Sequence, residues 1–542
     1  MSLVLGSILF FSFSTLRRNT ITAISPRLAH SGDEITIRGN NFGTKLSNSW
    51  VMIGTNKIKP SQCLSWTNTE ITFKAPADLH EDLVYVVTKN KRGNNTVLLV
   101  NASALPVPSN LSPTNILPVI ESLSTSSGAI GSVISVYGKN FGHTRQRSSV
   151  VFTGMQNSIV PQTPSKSLMF EGAATCSDFD YDYEYWSDRE LRVRVPDSAD
   201  SGDIVVITET GTSNPLYFNV KNKAGSKRYT DTRMYHIVSE VEISDFDAGM
   251  PNTLFLRVPI PQQTNQQRTV TIHAIAPEPF IVSYQGASLH RFHNIPLQAK
   301  TIIKQEYKVE RSEVTTEINA KEIKPAKGRN QALYAAYTET TAMLPAQNPT
   351  IKELCKTLVR KDMNAYYNAK KIYSYLIGHI AVKPTSVTDI GKSLEQVLKT
   401  KQGDAYDLTM LFCTLARAAN IPAIPTAGIL VTSDKKSIMH WWAEFYVEGF
   451  GWIPVDPALG AGMSLNTGET NRETSAEWYF GNLDAYRIAF SRGLQTQSPM
   501  VPSGKIVAKE RSYAFMSIWE ETTSNVKGYS SLWRLPKIVG IY

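Results

Sequence analysis

Cysteine is scarce in this chain, with four among 542 residues (Cys63, Cys176, Cys355 and Cys413) and no CxxC pair. That spacing argues against a structural zinc site. A pairing of Cys355 with Cys413, both on helical patterns of one region, stays open beside the plainer reading of four buried small hydrophobes. Long apolar runs are also missing. Residues 3–13 are too few to span a bilayer as a helix, and no later segment approaches that length. Charge of one sign is not concentrated anywhere. Lys and Arg number 56 against 47 Asp and Glu, but the basic residues are scattered, so no nucleic-acid partner is expected. Nor are Pro and Gly in excess, at 28 and 32, which excludes collagen-like and low-complexity chains.

What is present is an ordinary globular composition spread over a length that implies about three to five domains. The apolar residues 3–13 run into Ser12-Phe13-Ser14, a small-x-small cleavage pattern, and then Arg17 and Arg18. Residues 1–19 therefore read as a signal segment, and the chain as secreted or held in the cell envelope. The basic residues expected ahead of such a run are absent, so a buried N-terminal strand is the competing reading.

From residue 20 onward short alternating apolar runs are punctuated by Gly and Asn. Residues 21–26, 35–43, 51–54 and 71–76 have counterparts at 119–124, 134–142, 150–154 and 191–196. Period two with turn residues every ten or so positions indicates an antiparallel β-sandwich. The repeat makes two of them, over 20–104 and 116–222, joined by a Pro-rich linker at 105–118. Each copy carries G-x-N-F-G after a strand, where Gly supplies positive φ and Phe42 or Phe141 plugs the sandwich end. Both copies resemble the IPT/TIG immunoglobulin-like family, whose modules space, present or bind. The second copy has an insertion, residues 178–186, with alternating acids. Carboxylates there could line a calcium site, but a solvated edge strand with inward aromatics fits the alternation better.

Residues 228–345 alternate again over 234–243, 254–260, 270–275 and 301–309, which predicts a third β-rich, sandwich-type domain. Near Asn348-Pro349 the period becomes helical, with Asn as N-cap and Pro in the first turn. The region 346–493 follows as an α/β core, and 494–542 as a segment without an assigned role.

Within the core, residues 404–419 predict one buried helix with Gly403 and Asp404 at its start. Position 405 lies in the first turn, where free N–H groups and the helix dipole favour negative charge. The strand 440–447 puts His440, Trp442, Glu444 and Tyr446 on one face. A three-residue loop, 448–450, would set Asp456 opposite Trp442 and diagonal to His440, about 7–8 Å away at the Cα atoms. Such an Asp orients an imidazole, which is the logic of a Cys-His-Asp site. Alone, His440 could instead be a core histidine satisfied by a carbonyl.

Gly403-x-x-x-Asp407, the helix ending Asn420-Ile421-Pro422, His440-x-Trp442-Ala443-Glu444 and Gly451-Trp452-x-Pro454-x-Asp456-Pro457 are similar to motifs of the transglutaminase-like superfamily. The resemblance implies an α+β papain-like core and acyl transfer by a Cys-His-Asp triad. His440 takes the place of the base, Asp456 that of the orienting acid, and Ala405 that of the nucleophile. Ala405 has no group that can attack. Losing a triad nucleophile costs about 10⁶-fold in kcat in the serine case. Cys413 is about 12 Å further along the helix and Thr409 one turn on. Asp404 and Asp407 read as cap and dipole partner, or with Trp441 and Trp442 as substrate-groove candidates. Two functions follow: a catalytically impaired module that binds protein or cell-wall peptide, or an active acyltransferase or peptidase whose nucleophile is replaced in this sequence. No metal or organic cofactor is implied.

Overall fold

The computed structural model describes residues 19–101, 117–154, 173–464 and 476–542, apart from 26–27, 30, 46, 54–55, 77–81, 94–96, 222–223, 324–328, 386–390 and 502–503. The signal segment, except Asn19, and nearly all of the 105–118 linker lie outside the described residues. The chain divides into two units, one of residues 1–110 with 499–505 and one of 111–498 with 506–542.

The first unit holds the first sandwich. One sheet runs Thr20–Ser25, Glu34–Asn40, Glu70–Lys74, Cys63–Trp66, and the other Leu28–Ala29, Val97–Asn101, Asp82–Thr88, Trp50–Ile53, Asn56–Ile58. The second sandwich, in the second unit, repeats this order strand for strand, from Val119–Leu123, Val133–Lys139, Glu190–Arg194, Tyr183–Trp186 to the facing sheet of Ser127–Gly128, Leu216–Val220, Ala199–Thr208, Ser149–Gly154 and Ala173–Thr175. Glu34–Asn40 and Val133–Lys139 bury the same alternate residues, as a half-buried strand must.

The leading glycine of each G-x-N-F-G motif serves close approach rather than positive φ. A Cβ on Gly39 would sit 2.1 Å from the Thr20 carbonyl oxygen, and one on Gly138 2.0 Å from that of Val119. Positive φ falls on Asn41 and Gly43, and on Asn140 and Gly142. Phe42 and Phe141 are buried plugs, and Trp66 and Trp186 each donate their indole N–H to the plug's carbonyl, at 3.2 and 3.1 Å.

The third β domain is built on two long antiparallel strands, β1 (Gly225–Ala248) and β2 (Thr301–Ile318). Val270–Ala276 extends their sheet beyond β2, and Val526–Trp533 and Lys537–Ile541 pair with β1. Glu520–Thr522 joins the second sheet beside Thr253–Pro259. The segment 494–542 therefore completes a domain begun near residue 225.

The α/β core contains α1 (Gln331–Thr338), α2 (Pro349–Leu358), α3 (Ala365–His379), α4 (Leu394–Thr400) and α5 (Ala405–Ala418), then β3 (Ala423–Val431), β4 (Ser437–Val447), β5 (Gly451–Val455), α6 (Pro457–Gly460) and β6 (Arg487–Arg492). The sheet order is β5-β4-β3-β6. Asn348 caps α2 through Thr350 N and Ile351 N, with Pro349 in the first turn. Trp441, Ala443, Phe445 and Val447 of β4 face α5 in the main core. The alternate residues face away, Trp442 toward Tyr229 and Val314, and Tyr446 toward Leu333 and Trp452.

The insertion of the second sandwich departs from the expected solvated edge. Only Tyr183–Trp186 is an edge strand; Phe179, Asp180 and Asp182 turn inward onto the core. Phe179 stacks on Tyr337 with centroids 5.1 Å apart, and Trp452 Nε1 donates to Asp180 at 2.8 Å. This copy is thus a wall of the core, not a spacer. Among the described residues no group of three or more His, Cys, Asp or Glu could hold a metal ion.

Candidate functional site

Two elements present the pair His440 and Asp456. β4 and β5 are joined by the three-residue turn 448–450, with Ala443 opposite Val455 and Val447 opposite Gly451. One step further that register sets Asp456 opposite Trp442. The chain there leaves the sheet into α6, whose N-cap is Asp456, with Oδ1 accepting from Leu459 N at 3.0 Å. Oδ2 meets His440 Nε2 at 2.7 Å, and both side chains are fully buried. Because a carboxylate can only accept, Nε2 carries a hydrogen, and Nδ1 is the ring nitrogen left for another partner. Nδ1 is buried and has no hydrogen-bond partner among the described residues.

Arg487, on β6, supports the pair. Its Nη1 donates to Asp456 Oδ2 at 2.8 Å and its Nη2 to Asp484 Oδ2 at 2.6 Å. Its guanidinium lies 5.3 Å from the Trp442 ring centre, and Trp442 in turn stacks on His440 at 6.2 Å. Burial alone would raise the Asp456 carboxyl, but His440 and Arg487 outweigh it and hold the group down to about 2. Asp484 is likewise lowered, its burial outweighed by Arg487. The 477–484 segment supplies Asp484, and the Tyr479 carbonyl accepts from Asp456 N at 3.0 Å.

Ala405 opens α5 and is 2% exposed, in the same core cluster as Trp441. Its methyl group makes no polar contact with the pair. Asp404 and Asp407 form a reciprocal capping box: Asp404 Oδ1 accepts from Asp407 N at 2.9 Å, and Asp407 Oδ2 from Asp404 N at 3.1 Å. Their other oxygens are held by Arg511, Nη1 to Asp404 and Nη2 to Asp407, both at 2.8 Å. All four carboxylate oxygens are engaged, and both residues are fully buried. Burial and the neighbouring Asp404 raise the Asp407 carboxyl, against the pull of Arg511. Trp441 donates its indole N–H to the Ser512 carbonyl at 3.0 Å and packs edge-on against Tyr406. The four groove candidates are therefore all buried, each with a partner of its own.

Neither Cys413 nor Thr409 makes a described contact with the pair. Cys413 is deep in the core, its thiol pushed up to about 12 by burial. The Thr409 hydroxyl is buried without a hydrogen-bond partner among the described residues. Cys355 and Cys413 are free thiols, so the disulfide between them is not formed.

Reasoning from the sequence alone missed Arg487, Asp484 and Arg511. A charged residue inside the apolar run of β6 was a signal for Arg487, since buried charge needs a partner. Nothing local marks Arg511, whose partners lie more than 100 residues earlier.

Comparison with known proteins agrees with this architecture. Residues 352–457 match the transglutaminase-like superfamily model and residues 20–101 the IPT/TIG domain model. An uncharacterised protein of Haemophilus influenzae is 28% identical over 169 residues, covering 26% of this chain and 46% of that protein. The chain thus spans less than half the length of this curated relative. Among solved structures, a candidate cysteine protease from Cytophaga hutchinsonii is 13% identical, covers 58% of this chain and 93% of its own, and has a TM-score of 0.38. A TGase structure covers 41% of this chain and 54% of its own at 13% identity, with a TM-score of 0.18.

Proposed function

From a chain whose residues 352–457 belong to the transglutaminase-like superfamily and whose residues 20–101 form an IPT/TIG domain, we propose a catalytically impaired member of that superfamily, exported and binding protein or cell-wall peptide without turning it over. The observation that carries this reading is that α5 opens on Ala405, the position that takes the place of the family's nucleophile, while His440 and Asp456 form a fully supported pair. The base and its orienting acid are kept, and the group that would form the acyl bond is not. Without it, acyl transfer loses its covalent intermediate. Export rests on the apolar run at residues 3–13. No helix among the described residues is long and apolar enough to cross a membrane.

A second reading is an acyltransferase or peptidase whose nucleophile is replaced in this sequence. The buried, unpartnered Nδ1 of His440 favours it, because such a nitrogen costs about 1–3 kcal/mol unless something meets it.

Peptide hydrolysis and amine incorporation, measured on the natural chain and on Ala405→Cys, separate the two. The impaired-module reading expects no turnover from the natural chain and binding of peptide to it in calorimetry. Turnover by the natural chain that disappears in His440→Ala or Thr409→Val overturns it. Thiol-dependent turnover in Ala405→Cys alone shows that only the nucleophile is missing. Cell fractionation tests export, and a cytosolic protein sinks that part.

A further inference from the structure

The seam between the second sandwich and the core buries more carboxylates than cations. Asp197 pairs with Lys227 of β1, and its Oδ2 accepts from Trp452 N at 3.3 Å. Glu444 of β4 is held by Arg492 of β6 through Nη2 at 2.7 Å. Arg194 pairs with Glu184 within the sandwich. Three further buried carboxylates then share cations that already engage another acid. Asp180 accepts from Trp452 Nε1 and has only the far side of Arg492, 3.5 Å away and already engaged by Glu444. Asp182 accepts from Ser177 N at 2.9 Å. Glu448, at the β4–β5 turn, accepts from the Asn330 backbone N–H and keeps Oε1 buried with no hydrogen-bond partner among the described residues, and the cations that reach it are Arg194 and, beside α1, the exposed Arg329.

The seam is also mechanically continuous with the site. Arg492 is sandwiched between Phe179 of the insertion and Trp452 of β5, 4.3 and 5.0 Å from their ring centres. Glu444 lies four residues from His440 on β4, and Trp452 four residues from Asp456.

We propose that this seam is a proton-operated latch: the second sandwich is seated on the core while Asp180, Asp182 and Glu448 hold protons, and its seat loosens when they ionise. An ionised carboxylate in such a place, without its own cation, costs several kcal/mol, so the seated form keeps the proton. Burial is the first cause in each case, raising Asp180, Asp182 well above its ordinary value, and Glu448. For Asp182 the neighbouring Asp180 and Asp197 add to it, and Arg194 opposes; for Asp180, Arg492 opposes while Asp197 and Glu444 add. The phenols facing the seam, Tyr334, Tyr337 and Tyr446, are themselves raised by burial and stay neutral across the range. The unseated carboxyls return to ordinary values near 3.8 and 4.5, so the seated form binds more protons. Seating is then strongest in acid and weakens as pH rises through the raised values, by up to about tenfold per pH unit for each proton released. The released hairpin is the one that carries Glu448, Trp452 and Asp456, so the latch would govern how firmly the His440–Asp456 pair is held.

Hydrogen exchange on the full chain, from about pH 5 to about pH 8.5 and normalised to the intrinsic rate at each pH, tests this. Peptides spanning 179–186 and 447–456 are expected to lose at least about tenfold more protection than α5 over that range. Asp182→Asn and Glu448→Gln, which imitate the protonated groups, are expected to flatten the dependence. Seam protection that tracks α5 at every pH overturns the proposal, as does an unchanged slope in folded variants. If the variants do not fold, as low α5 protection would show, the series on the natural chain decides alone.

Discussion

Replacing Arg511 by methionine keeps an aliphatic stem near Tyr406 and removes the guanidinium that holds both carboxylates at the start of α5. Asp404 and Asp407 are then left facing each other through the capping box with no cation between them. Stranding a buried charge in this way costs about 3–5 kcal/mol while the group stays ionised. Protonation is the escape, and its cost depends on pH. A carboxyl of ordinary value 3.8 takes up a proton at pH 7 for about 4.4 kcal/mol, and at pH 5 for about 1.6 kcal/mol. The expected loss is therefore about 4 kcal/mol at pH 7 and no more than about 2 kcal/mol at pH 5. Asp407 is the group that takes the proton, because burial and Asp404 already raise it. A raised acid contributes stability in acid that is lost as pH rises, so the deficit grows toward neutrality, in agreement with the estimate. Urea titrations of the natural chain and Arg511→Met at the two pH values, followed by tryptophan fluorescence, measure both numbers. A loss below about 1 kcal/mol at pH 7, or an equal loss at both, would refute the reasoning.

Other outcomes are equally specific. Asp456 is depressed from 3.8 to about 2, so its ionised form contributes about 2 kcal/mol above pH 4, and this disappears as pH falls toward 2. Asp456→Asn should melt lower than the natural chain near pH 6 and show a shallower acid decline; matching acid profiles would count against the pair's role. Gly451→Ala should cost about 1–3 kcal/mol, because φ is +94° and a Cβ would lie 2.1 Å from Asp197 Oδ1. A melting temperature unchanged by that substitution would contradict the seam geometry. The native chain should not react with Ellman's reagent near pH 8, since burial pushes Cys63 up to about 11 and Cys413 to about 12. Ala405→Cys should add a thiol that also stays slow in the native chain, because position 405 is 2% exposed; a fast thiol there would show that the helix start opens to solvent.

Local pattern accounts for what the sequence makes legible. Period-two runs and a repeated motif specify two sandwiches of one strand order, because alternation and turn chemistry act within a few residues. Helix α5 announces itself by its apolar face and by Asp404 at its cap, and the turn 448–450 sets the register that brings Asp456 to His440. What pattern does not carry is the identity of distant partners. The acids of residues 178–186 alternate like a solvated strand, yet their neighbours are Trp452 and Arg492, some 270 to 310 residues later. Arg511 is an ordinary basic residue in its local context, and its role appears only when the segment 506–519 is threaded between the core and the β domain, with Phe515 in one and Tyr513 in the other.

The β domain also has a history in time. Strand β1 pairs with Val526–Trp533, which leaves the ribosome about 290 residues after it. At about 5–20 residues per second, one edge of β1 waits some 15–60 s for its partner while the whole α/β core is synthesised. An unpaired strand of that length is a template for wrong pairings, so the nascent chain is at its most aggregation-prone before the closing strands arrive. Arg511 arrives in the same final stretch as those strands. The charged start of α5 and the open sheet are thus completed together, well after the two sandwiches, whose last strand ends at Val220.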